Sequence, residues 1–321
     1  KIEIPGSVKS IGNQAFSACY ALTSLVIGNG VEQIGEEAFE LCIALTDIVI
    51  PASVTAIGDG ALRNCKELEN ISVAAGNTNY ATVNGVLFNM EMTELLAYPV
   101  RSSKTTYTIP ETVNRIGNGA FYNSKNLLEI VLPNSLKEIG SQAFSGCNSW
   151  ESLSLPNSVT TIKESAFDAC ESFTSITLPN SVTALGKAAF AGCSNVEEVQ
   201  LSDSLTVIEE SVFGGCRGLY TIAIPEGVTE IKDRAFYGCQ KLWCVNLPST
   251  LTAIGEYVFY NSGLTSVYYG ATKANWDAVK VNETGNTRLI NATMYYSLLP
   301  GCPTGGDKVQ IQDVAFAYEF L

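Results

Sequence analysis

Residues 156–178 read PNSVTTIKESAFDACESFTSITL, and this 23-residue unit returns with substitutions about ten times along the 321-residue chain. Its cysteine marks the period: Cys19, Cys42 and Cys65, then Cys147, Cys170, Cys193, Cys216 and Cys239, each 23 residues from its neighbour within a block. Three residues earlier runs a column of Phe16, Phe39, Leu62, Phe121, Phe144, Phe167, Phe190, Phe213, Phe236 and Phe259, usually preceded by Ala. Ser124 and Ser262 take the cysteine slot where Cys is missing. After the cysteine comes an L-x-x-I-x-I run such as Leu219, Ile222 and Ile224, and its spacing of two predicts a short strand. A Pro often closes the run, as at Pro51, Pro133 and Pro225, and because Pro cannot donate to a sheet ladder the strand should stop there. Two more apolar slots, Val159 and Ile162 in this unit, precede the Ala-Phe pair, whose spacing is helix-like.

A fixed period in the twenties means that one repeat cannot bury its apolar face and must stack on copies of itself. The product is a solenoid with about eight inward side chains per unit, here Val159, Ile162, Ala166, Phe167, Cys170, Phe173, Ile176 and Leu178. Successive strands pair in parallel at roughly 4.8 Å, so ten strands make a sheet on the order of 50 Å long.

The pattern L-x-x-I-x-I-P-x-x-V-x-x-I-G-x-x-A-F-x-x-C resembles the leucine-rich repeat of the BspA-like surface proteins over residues 1 to about 265. The expansion around Asn79 to Tyr107, and the ending from Val267-Tyr-Tyr-Gly to Tyr295-Tyr296, resemble features common in that family. The resemblance implies an extracellular or cell-surface module for adhesion or protein binding, and neither a reaction nor a particular ligand. The expected fold is thus an α/β leucine-rich-repeat solenoid. It would be a curved right-handed coil with a parallel β-sheet on the concave face and short helical turns on the convex face.

Composition excludes several classes. A net charge of −13 works against nucleic acid or anionic membrane as partner, since both need a basic patch. The chain has no apolar run of 18 or more residues and no signal peptide. It opens inside a strand at Ile2 and Ile4, which reads as a piece of a longer secreted precursor. There is no His, which removes Ser-His-Asp and Cys-His pairs and HExxH zinc sites; no phosphate-binding glycine motif is present either. No cofactor is implied. The eight periodic cysteines read as a ladder of reduced core thiols, because Cys behaves as a small apolar side chain and Ser replaces it twice. Their spacing puts one Cys on each coil and does not fit zinc. Cys244 and Cys302 fall outside the ladder, and their pairing is left open.

In chain order, the array covers residues 1–265, with an expanded repeat and hairpin insertion near 71–106, a cap over 266–300, and a tail or the start of a further segment at 301–321. The hairpin reads as Val86–Phe88 and Leu95–Tyr98 around Asn89–Thr93, projecting as a flap. Trp276 reads as a plug in the cap. The Gly after the Ile column, as at Gly35 and Gly186, reads as a tight-turn preference and not a left-handed position, because Lys163, Glu209 and Lys232 share the slot.

If Leu219, Ile222 and Ile224 point inward, the second, third and fifth positions of each run point outward. Those positions carry Glu3, Asp47, Glu69, Glu129, Glu151, Glu197 and Glu198, with the terminal Lys1 as their only base, and supply Tyr220, Trp243 and Tyr268 near the C-terminal end. Exposed Trp and Tyr are common interface anchors. Tyr220, Trp243, Tyr268, Glu197, Glu198, Glu151 and Glu129 are therefore the candidate partner-binding residues, for a surface protein or a neutral glycan. Two other readings compete: a structural stalk that displays other domains, and a glycan-processing enzyme built on a carboxylate pair.

Overall fold

A computed structural model describes residues 1–296. The L-x-x-I-x-I runs form a first series of short parallel strands, paired in several small sheets on either side of the expanded repeat, beginning with Ile2–Ile4 against Leu25–Ile27 and ending with Thr221–Ala223, Cys244–Leu247, Ser266–Tyr269 and Thr293–Tyr296 side by side. Burial alternates as read from the sequence: Leu25 and Ile27 are buried while Val26 between them is exposed. The chain then turns at Pro, whose carbonyl accepts from the N–H three residues on, as Pro156 does from Val159. A second parallel stack of two-residue strands follows, among them Glu138–Ile139, Thr161–Ile162 and Ala184–Leu185. The path is a leucine-rich-repeat solenoid. Both stacks continue past residue 265, so the stretch where the sequence period fails still adds coils, and Trp276 packs edge-on against Tyr269 at 5.3 Å.

The Ala-Phe segment is not helical. The two helices among the described residues, Lys273–Trp276 and Thr287–Ile290, both lie in the last coils, beyond the regular 23-residue repeats. Each Ala-Phe segment instead holds two residues of left-handed backbone, one just before the Ala-Phe pair and one just before the Cys slot: Gln142 and Gly146, Ser165 and Ala169, Ala188 and Gly192, Arg234 and Gly238. This alternation swings every second N–H away from its own turn and along the array. Ala188 N–H donates to the Glu210 carbonyl at 2.9 Å, Phe190 N–H to Val212 at 3.0 Å, and Gly192 N–H to Gly214 at 2.7 Å. An α-helix would spend those donors inside one coil. Here they form a third coil-to-coil ladder. The Gly after the Ile column is not left-handed; at Gly186 it permits a close approach, since a Cβ there would lie 2.5 Å from the Glu164 nitrogen of the previous coil.

The Phe column is a buried stack with parallel rings, 5.1 Å between Phe167 and Phe190 and 5.6 Å between Phe236 and Phe259. The cysteines beside it do more than fill space. Each buried ladder thiol reaches the carbonyl of the Phe 26 residues earlier, as from Cys170 to Phe144 at 3.2 Å and from Cys239 to Phe213 at 3.1 Å. Burial pushes the Cys147 and Cys239 thiols up to about 12 and Cys42 to about 11, so little thiolate exists near neutrality. Cys19 departs from the expected ladder because it is only half-buried on the first coil. Cys244 is buried and disulfide-bonded, and Cys302 lies outside the described residues. Maleimide labelling of the native protein should therefore modify Cys19 first and leave Cys170 and Cys193 untouched; rapid loss of either buried thiol would overturn the ladder.

The insertion does not project. Tyr80–Val83, Val86–Asn89 and Glu94–Ala97 form an antiparallel meander that joins the second stack through Glu94–Ala97 and Arg115–Ile116, with Val86, Leu87 and Phe88 buried. The predicted hairpin is present, but its strands are needed to cover the core. An additional strand precedes it, across a turn with positive φ at Asn84 and Gly85. The expanded coil has a short outer segment in which Tyr98 stacks on Phe121 at 5.0 Å, so the outer turns on either side meet. Asn123 donates to Asn64 at 3.0 Å across it, and Arg63 bonds Glu37, Glu40 and, over Gly119, Gln142. The Arg63 side chain is 20% exposed and its acids are similarly shielded. Arg63→Ala should lower stability in urea by about 2 kcal/mol, the scale of hydrogen bonds to charged groups. A change under about 0.5 kcal/mol would show the bridge to be idle.

Candidate functional site

On the first strand stack the outward acids Glu129, Glu151, Glu197 and Glu198 are exposed, whereas toward the C-terminal end Tyr220, Trp243 and Tyr268 are half-buried and Cys244 is buried. Among the described residues no ion pair involves these acids, and the bridges gather on the second stack and the Ala-Phe side, as in Lys163–Glu138 and Lys187–Glu210. The strand face thus keeps an acidic character. Its C-terminal half contains a groove of about 480 Å³ over four successive strands, lined by Ser175, Thr177, Glu198, Gln200, Asp203 and Thr221, with Ala223 and Asn246 toward its C-terminal end. Its depth follows from residue size: Ala223 is the smallest side chain in a column that runs Thr177, Gln200, Ala223, Asn246.

The aromatic residues read from the sequence are split. Tyr220 and Trp243 enter successive strands, linked by Trp243 N–H to the Tyr220 carbonyl at 3.0 Å. Tyr268 lies in a different column, opposite Asn246 on one side and Tyr295 on the other, and stacks on Tyr295 at 4.6 Å. The three do not form one cluster, because Tyr268 holds the fifth position of its run and the others the second. Lys241 covers the Tyr220 ring at 4.9 Å and donates to its hydroxyl at 3.1 Å. That hydrogen bond, with Glu197 nearby, holds the Lys241 ammonium pKa above its ordinary value. A base therefore reaches the strip from the position before the run, which the count of outward positions missed. Trp243 is half-buried, with its indole nitrogen enclosed and unpartnered. Of the candidate residues only Glu198 lines the groove, and Tyr268 stands one strand beyond Asn246. Thr177, Gln200 and Thr221 went unnoticed because nothing in a repeat distinguishes a groove-lining Thr from a solvated one.

Two strand stacks, a Phe spine and a period of 23 residues define a leucine-rich-repeat solenoid. The family profile described as BspA type leucine rich repeat region matches residues 1–95, 97–219 and 160–279, and the chain belongs to that family. Among solved structures it is similar to the pneumococcal vaccine antigen PcpA, at 23% identity and a TM-score of 0.64, covering 93% of this chain and 68% of that one. A leucine-rich repeat protein from Eubacterium ventriosum gives 24% identity and a TM-score of 0.62, covering 95% and 79%. One from Bacteroides ovatus gives 28% and 0.54, covering 92% and 77%. The first two likenesses establish the fold alone. Comparison with curated proteins gives no match. Among the described residues no helix is long and apolar enough to cross a membrane.

Proposed function

We propose that the chain is a non-enzymatic binding or adhesion module of a cell-surface protein, recognising a protein or glycan partner through the strand face, taken as the solenoid's concave side. The observation that carries this reading is the 480 Å³ groove on that face, lined by exposed hydroxyl, amide and carboxylate groups. A stalk that only displays other segments needs no such recess. The family and the description of PcpA as a vaccine antigen favour the cell surface or the extracellular space.

The test fills the groove without touching the core. Ala223 is exposed, so Ala223→Trp should fold normally and occlude it. Binding of the chain to immobilised purified surface proteins and a glycan array should fall at least tenfold in that variant. Equal binding by both forms, or no binding to any surface, would remove the face as a site. Heparin should give no saturable binding, since a net charge of −13 opposes a polyanion.

A further inference from the structure

We infer that the groove accepts a linear neutral oligosaccharide of about four sugar rings, lying across the strands with one ring against Tyr268. This rests on the strand face being the binding site and names the ligand class. Three observations carry it. The groove offers hydroxyls (Thr177, Thr221), an amide (Gln200) and carboxylates (Glu198, Asp203) without a single Lys or Arg in its lining. Paired acceptors and donors of this kind suit the vicinal hydroxyls of a sugar, and the carboxylates disfavour an anionic one. An extended peptide that binds by strand addition draws its affinity from backbone bonds at a sheet edge. This groove lies over the face of the strands, where a peptide's main chain finds no such ladder.

Direction and length follow from the column. Thr177 pairs with Gln200, Ala223 with Asn246, and Asn246 with Tyr268 in register. Four strand steps from Thr177 to Tyr268 span about 19 Å at ~4.8 Å each, close to one sugar ring per strand. The aromatic ring then closes the run: Tyr295 covers one face of Tyr268 at 4.6 Å, and the other face is turned toward the Asn246 strand, where the groove ends. A trough that sets these polar groups among Val199, Leu201 and Pro225 and ends beside an aromatic ring has the few placed polar groups and the apolar surface of a small-ligand site.

The experiment is calorimetric titration of the chain with cellotetraose, mannotetraose and β-1,4-galactotetraose, their disaccharides and hexasaccharides, and tetragalacturonate as the anionic counterpart. At least one neutral tetrasaccharide should bind saturably, at least tenfold tighter than its disaccharide and within threefold of its hexasaccharide, while tetragalacturonate should not bind. Tyr268→Ala should weaken that binding at least tenfold and Tyr268→Phe should preserve it, with both melting transitions checked against the parent. If no neutral sugar binds at millimolar concentration, or if binding ignores Tyr268→Ala, the assignment is overturned. Protein capture that Ala223→Trp abolishes, with every sugar silent, would overturn it while leaving the strand face as the site.

Discussion

Phe167→Ala is expected to lower the free energy of unfolding by about 4 kcal/mol, near the upper part of the range for large-to-small core changes. The ring is fully buried and lies between Phe144 at 5.3 Å and Phe190 at 5.1 Å, with Trp150 and Phe173 at 6.1 and 6.2 Å. Its neighbours cannot collapse into the space, because each is fixed by backbone bonds to the coils on both sides: Phe167 N–H donates to Ala189, and Phe144 N–H to Ala166. The cavity term therefore adds to the lost transfer energy. Phe16 supplies an internal control, since it sits half-buried on the first coil with one stacking partner, Phe39 at 5.5 Å. Phe16→Ala should cost less than half as much. Equilibrium urea unfolding decides, and a loss under 1 kcal/mol at Phe167 would end the account of the column as a spine.

Replacing Ala188 separates the turn ladder from the helix that the sequence pattern suggested. In a helix interior, Gly costs up to about 1 kcal/mol relative to Ala. At a φ of 52° the sign reverses, because an L-residue with a Cβ carries about 1–2 kcal/mol of strain there. Ala188→Gly should stabilise the protein by about 0.5–1 kcal/mol once its backbone entropy is deducted. Ala188→Pro should cost about 3 kcal/mol, because Pro cannot reach positive φ and loses the N–H that donates to Glu210. A destabilised Gly variant would contradict the left-handed geometry.

The stacks, the Phe spine and the family were legible because they repeat: a column such as Phe144, Phe167, Phe190 announces an inward slot through identity alone. The left-handed positions were not legible, because they hold Glu37, Gln142, Ser165, Ala188, Arg234 and Tyr257, residues that normally avoid such backbone. The inter-coil bonds make that conformation tolerable, and no single-residue preference reports them. The rule that Lys and Glu exclude left-handed backbone was therefore misleading in general, although it did exclude the Gly column. The extra strand of the insertion could have been found from Asn84-Gly85, a dipeptide suited to tight hairpin turns. The aromatic site was misread because positions two and five of a run were treated as one row, whereas Tyr268 and Trp243 fall in separate columns.

Side-chain bonds between successive coils typically join residues 22 to 26 apart, as Ser158 to Leu136 and Cys193 to Phe167 do. Measured against the whole chain, a typical separation of 23 in 321 residues is a relative contact order of about 0.07, as low as that of a helical bundle despite the wholly β-built array. Any coil can therefore nucleate and its neighbours zip on without a long loop being closed. The exception is the expanded coil, where Arg63 meets Gln142 across 79 residues and Asn64 meets Asn123 across 59. Folding should proceed as two zippers whose meeting point is that seam, where the order of events along the chain matters.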